Sequence, residues 1–159
     1  MSNVEIEDNS RYNTWAYFYV CNFEGNASEI TRKLELEPTK TWHKGDVWFR
    51  APRLRPESNW EIHSPVDRSE IFLDAHIKAV LDIIEPKRVQ IAELQAQGCT
   101  IGINCVGSYY GSHPGFNLSA ELLSRLAAFS MDVDFDLYCY CADEEEEEQS
   151  QEFSESKGA

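Results

Sequence analysis

This sequence predicts an α+β fold: a mixed, mostly antiparallel sheet with helices packed mainly on one face. Three observations predict it. A strand, a polar cap, an amphipathic helix and a second strand follow one another over residues 15–48, and the same series returns over 99–141. These read as two loosely repeated strand–helix–strand units. Between them lies a long stretch with apolar residues at helical spacing, split by Pro86. Finally, residues 131–141 alternate apolar and polar side chains, the pattern of a strand with one wet face. Together these units build helices against one side of a sheet.

Each element has its local reason. Residues 1–13 read as a polar lead-in and 14–142 as one domain. Residues 15–22 are aromatic and β-branched, the composition of a strand buried on both faces or nearly so. Asn26 or Ser28 caps the next helix, whose stripe is Ala27, Ile30 and Leu34, and Pro38 follows it as a stop. Residues 41–49 read as a strand with a bulge or turn at Gly45, paired as a hairpin with 59–63 across a basic, proline-bearing loop. Ile71, Phe72, Ala75, Ile77, Val80, Leu81 and Ile84 mark the long helix, and Val89, Ile91 and Leu94 the one after Pro86, ended by Gly98. A strand over 99–106 leads into a glycine- and tyrosine-rich loop through Gly115. Asn117 or Ser119 then caps a helix bearing Leu122, Leu123, Leu126 and Ala127.

Size and charge limit the function. With 159 residues, 42% of them hydrophobic, the chain can bury a core of its own. The net charge is −14. Residues 143–159 hold eight acids and one lysine, so this low-complexity tail carries −7 and leaves −7 for the body. The tail cannot bury a core and is expected to be disordered when free, with Phe153 as its one apolar anchor. An acidic body disfavours nucleic acid and anionic membranes, which need clustered Lys and Arg. It favours a basic protein partner, or serves solubility alone. No apolar run is long enough to span a bilayer and the first residues are acidic, so a cytoplasmic location is expected.

Reactive motifs are scarce. No glycine-rich phosphate loop, nucleophile elbow or His-Glu-x-x-His helix occurs. Ser108 and Ser112 have no base at a telling spacing. His43, Asp46 and His63 form a possible metal set of generic spacing, explained more cheaply as polar residues on a wet face. The cysteines, Cys21, Cys99, Cys105, Cys139 and Cys141, lack paired Cys-x-x-Cys knuckles and read as small buried thiols, although Cys139 and Cys141 share a strand face. His76 reads as a satisfied packing residue. No cofactor and no metal are expected, and the balance leans away from an enzyme.

What remains is a recognition surface. Residues 34–48 place two tryptophans, a histidine and a glycine beside mixed charges. Of Trp42, Trp48 and Trp60, two are expected in the core and one exposed near His43 and Lys44, in an aromatic patch with Tyr109 or Tyr110. Asp132, Asp134 and Asp136 share one face of the last strand, either solvated or docking a basic partner. The expected partner-binding set is therefore Trp42, His43, Lys44, Asp46, Trp60, Tyr109, Tyr110, Asp132, Asp134 and Asp136.

Several short pieces, in order, resemble one family: Leu36-Glu-Pro38, Trp42-His-Lys-Gly45, Trp60-Glu-Ile62, the helix pair across Pro86, Leu118-Ser-Ala-Glu-Leu-Leu123 and Asp134-Phe-Asp-Leu-Tyr138. They resemble the bacterial family catalogued as domain of unknown function 4279, over about residues 17–138. The resemblance implies a small cytosolic domain without an established enzyme activity, and it does not reach the acidic tail. By analogy with compact acidic immunity proteins, the leading expectation is a non-enzymatic protein-binding domain, an immunity-type inhibitor of a basic toxin or effector. The alternative is a small-molecule or metal-binding module.

Overall fold

A computed structural model describes residues 12–48, 52–111 and 114–140. The acidic tail with Phe153, Cys141, Ser112 and most of the polar lead-in lie outside the described residues. The elements run β1 (Asn13–Cys21), α1 (Ala27–Leu34), β2 (Lys40–Trp42), β3 (Asn59–His63), α2 (Leu73–Ile84), a 3-10 turn (Glu85–Lys87), α3 (Arg88–Ala96), β4 (Thr100–Tyr110), α4 (Ala120–Ala127) and β5 (Asp132–Tyr140). The strands form one sheet in the order β2-β3-β1-β4-β5, antiparallel except for the parallel pair β4–β5. The fold is the expected α+β sheet-and-helix sandwich.

One face of this sheet holds the core. Ala16, Phe18 and Val20 of β1, Trp60 of β3 and Ile101, Ile103 and Cys105 of β4 form a single cluster with Ile30 and Leu34 of α1, Ile77, Val80, Leu81 and Ile84 of α2, Ile91 and Leu94 of α3 and Leu122 and Leu126 of α4. Burying this many large side chains, each worth roughly 1.5–3 kcal/mol against exposure, is what holds helices to sheet. The helix starts follow capping chemistry: the Asn26 side chain accepts from Ser28 N–H, and Ser119 from Leu122 N–H. Pro86 opens the 3-10 turn between α2 and α3, as a proline without N–H can.

Several expectations need correction. β1 is enclosed through Thr14, Ala16, Phe18 and Val20 on its helix face, while on the other face Trp15, Tyr17 and Tyr19 are half-buried and Cys21 is buried. The strand expected over 41–49 stops at Trp42. Gly45, at φ +89, turns the chain where a side chain would be strained, and among the described residues a single bridge, Val47 to Leu54, follows. β4 runs on to Tyr110, so the start of the expected glycine- and tyrosine-rich loop is strand. Val89 and Leu123, read as core, are exposed.

Candidate functional site

The second face of the sheet carries no helix. Register and alternation assign its residues: Lys40 and Trp42 on β2, Asn59, Glu61 and His63 on β3, Trp15, Tyr17 and Tyr19 on β1, Gly102, Asn104 and Tyr110 on β4, and Asp132, Asp134, Asp136, Tyr138 and Tyr140 on β5. The surface is aromatic at its centre and acidic along one side.

The centre is ordered by hydrogen bonds between strands. Tyr19 Oη donates to Asp134 Oδ2 at 3.1 Å, and Asn104 Nδ2 donates to both Tyr17 Oη at 2.9 Å and Asp136 Oδ2 at 2.9 Å. The tyrosine rings lie 6.4 Å apart, and His63 sits against Tyr17 at 5.2 Å. Both oxygens of the nearly enclosed Glu61 are satisfied, one by Asn59 Nδ2 at 2.7 Å and the other by His63 Nε2 at 2.8 Å. Tyr19 reaches Asp134 by lying flat over Gly102. A β-carbon there would collide with the Tyr19 ring and sit 2.9 Å from the Asp132 carbonyl oxygen. Burial, then the Asp134 charge, pushes the Tyr19 phenol well above its usual range, and burial likewise raises Tyr17. Both stay protonated near neutral pH, so neither serves as a base.

Asp132, Asp134 and Asp136 thus share one face, as the alternation predicts. Asp134 meets the Tyr19 hydroxyl and Asp136 the Asn104 amide, and among the described residues none of the three pairs with a basic side chain. That leaves a row of like charges whose lone pairs are only partly used.

The tryptophan turn is a separate structure. The Arg55 guanidinium lies 4.2 Å from the Trp42 ring and 4.8 Å from that of Trp48, with Lys40 Nζ 5.0 Å from Trp42. These rings already hold the chain's own cations, an attraction of about 0.5–1 kcal/mol each at such exposed sites. His43 Nε2 accepts from Ala27 N–H at 3.2 Å, supporting the start of α1. Asp46 Oδ2 accepts from His43 N–H at 2.7 Å, and Lys44 N–H donates to Ser58 Oγ at 3.0 Å.

Two expected surface residues are corrected outright. Trp60 and Tyr109 are fully enclosed on the helix side and are not exposed at the surface. Trp60 Nε1 donates to Thr31 Oγ1 at 3.0 Å, and Tyr109 packs against Tyr12 and Phe116. Of the three tryptophans read together, one is core, not two. The aromatic patch of an exposed tryptophan with Tyr109 or Tyr110 does not form either, since the Trp42 and Trp48 rings meet Arg55 instead. Trp42 lies in register with Asn59, Cys21 and Thr100, at the far end of β4 from Tyr110, roughly 30 Å away along an extended strand. Tyr110 stacks instead on Tyr140 at 4.8 Å.

The possible metal trio is not brought together, because His43 turns toward α1 while His63 pairs with Glu61. Among the described residues, no three His, Cys, Asp or Glu side chains are placed to hold a metal ion. Cys21 and Cys105 fall on opposite faces. Burial pushes their thiols up to about 11 and about 12, far from a reactive thiolate. His76 is fully buried and satisfied, its Nε2 donating to the Glu70 carbonyl at 3.0 Å and its Nδ1 accepting from Ser64 Oγ at 3.2 Å.

A second concavity lies at the α1 end of the molecule. It is a half-open cleft of about 990 Å³, floored by Phe23, Ile30 and Leu94 and rimmed by Arg32, Lys44 and Glu57. Cations and carboxylates are mixed around it.

Sequence reasoning missed Tyr17, Tyr19, Glu61, His63 and Asn104 as one group. The alternation of β1 was the available signal, since it separates Trp15, Tyr17 and Tyr19 from Ala16, Phe18 and Val20.

The fold and this face define a two-layer α+β domain with an open, aromatic and acidic sheet surface. The chain belongs to the family described as Domain of unknown function (DUF4279), whose model matches residues 10–140. No curated protein and no solved structure is similar enough to this chain to add a relative. No helix among the described residues is long and apolar enough to cross a membrane.

Proposed function

We propose that this protein is a non-enzymatic binding domain that holds a basic protein partner on the open face of its sheet. The observation that carries the reading is the row Asp132, Asp134 and Asp136 beside the half-buried rings of Tyr17 and Tyr19. Carboxylates spaced by two strand residues, next to aromatic faces, attract Lys or Arg both by charge and by cation–π contact. An immunity-type inhibitor, which covers the cationic working surface of a toxin or effector, fits this chemistry. So does a cytoplasmic site of action.

A synthetic peptide alternating lysine and valine, titrated by calorimetry at low salt, tests the reading. The protein with Asp132→Asn, Asp134→Asn and Asp136→Asn together should bind it at least about threefold more weakly, as expected for the loss of three exposed pairs of about 0.2–1 kcal/mol each. Equal binding by both forms removes the proposed surface.

The cleft at α1 favours a second reading, a small-molecule module in which Arg32 and Lys44 meet an anionic group over the apolar floor. A thermal-shift screen with carboxylate and phosphate metabolites would retire it if no compound moves the melting temperature of the native protein while leaving Arg32→Ala unmoved.

A further inference from the structure

We infer that the basic partner joins this protein as a sixth strand, pairing its backbone along the outer edge of β5. The inference rests on the binding reading above and adds how the partner is held. The two edges of the sheet are unlike. β2 has three residues, and the chain turns away from it at once. β5 has nine residues, is bonded through β4 on one side, and has no neighbour on its other side among the described residues. A strand so placed offers a row of N–H and C=O groups to another chain.

The side chains beside that edge describe the occupant. On the open face stand Asp132, Asp134 and Asp136. On the helix face Val133 and Leu137 are half-buried and Phe135 is 42% exposed, because the helix layer stops short of the last strand. A strand laid alongside meets carboxylates with one set of its alternating residues and apolar surface with the other. The complementary ligand is an extended segment in which Lys or Arg alternates with apolar residues.

Charge selects this occupant over the others at hand. A second copy of the chain, adding its own β5, would set one aspartate row beside another on the same face. The chain's own ends are no better matched, since residues 1–11 carry three acids and one arginine and 143–159 carry −7.

The test uses the full-length protein and the alternating lysine–valine peptide in two forms, one with plain amides and one N-methylated at alternate residues along the edge that would face β5. Affinity is measured by calorimetry and amide protection by hydrogen exchange. Strand addition is expected to give protection of β5 amides by the plain peptide and at least a tenfold weaker affinity for the methylated one. Equal affinity for both peptides, without β5 protection, overturns the sixth strand while leaving the acidic face as a binding surface. Failure of both peptides to bind overturns strand addition and the basic-partner reading together, and leaves the aspartates as guards of an exposed edge. Protection of β5 that rises with protein concentration, in the absence of peptide, overturns the inference in favour of a second copy.

Discussion

The two strand–helix–strand units end very differently. In the first, β1 leads through α1 to β2, and β3 lies between the two strands. In the second, β4 leads through α4 to β5, and these strands are direct parallel neighbours. β2 is antiparallel to β3 and β3 to β1, so β1 and β2 run the same way and both units share one sense. The difference is the inserted strand. β3 supplies Trp60, fully enclosed and edge-on to Phe18 at 6.4 Å, and closes its end of the molecule. The second unit has no such insertion and leaves β5 at the edge. Repetition of a local pattern is thus compatible with opposite outcomes, a sealed end and an open one.

The largest expected effect lies in the sealed end. Trp60→Ala should lose about 3–5 kcal/mol of unfolding free energy, through the cavity and the lost bond to Thr31. The same truncation of Phe135 on β5 should cost less than about 1 kcal/mol, since much of that ring is already in water. Denaturant titration of both variants checks the contrast, and similar losses would contradict the assignment of sealed and open ends.

Of intermediate size is Gly102→Ala, at the junction of the two units. The new methyl group meets the Tyr19 ring, which can move, and the Asp132 carbonyl oxygen at 2.9 Å, which is backbone. A loss of about 1–3 kcal/mol is expected, as for overpacking elsewhere. Adding Tyr19→Ala should recover only part of it. Full recovery would mean that the β5 backbone does not limit the site.

A smaller effect than that of Gly102→Ala concerns the ties of α4. Arg125 bonds Glu85 through Nε at 2.7 Å and Asp82 through Nη2 at 2.6 Å, joining the second unit to the helical segment. The Arg125 hydrogen bond holds the Glu85 carboxyl below its ordinary value of 4.5. A carboxylate lowered on folding contributes stability that is fully present above the ordinary value and is lost as pH falls through the lowered one. Arg125→Gln should therefore cost about 1 kcal/mol near neutral pH, the scale of a partly exposed pair, and its stability should fall less than the native protein's on acidification below pH 4.5. Parallel acid limbs in thermal melts at a series of pH values would remove the pair from the account.

Much of the fold could be read before any coordinates. Helix stripes such as Ala27, Ile30 and Leu34 and stops such as Pro86 act within a few residues, so composition and spacing report them directly. The site was less legible. The aspartates were visible through the alternation of one strand, but their neighbours Tyr17, Tyr19 and Asn104 arrive from two other strands, and which strands adjoin is a long-range choice. The tryptophan turn misled for the same reason. One tryptophan, expected exposed near His43 and Lys44, read as a surface for another molecule, whereas Arg55 lies over both the Trp42 and the Trp48 rings.

By itself the sequence determined the local elements, the acidic balance and the aspartate face of the last strand, because each follows from side-chain period and charge over short stretches. Only the tertiary structure decided that β3 enters between β1 and β2, that Trp60 and Tyr109 turn inward, and that Tyr17, Tyr19 and Asn104 gather beside the aspartates of β5. Those outcomes depend on strand pairing between residues far apart in the chain. There a register shifted by one residue would exchange the buried and exposed sets, and the competition is settled by how much apolar surface the whole molecule can enclose.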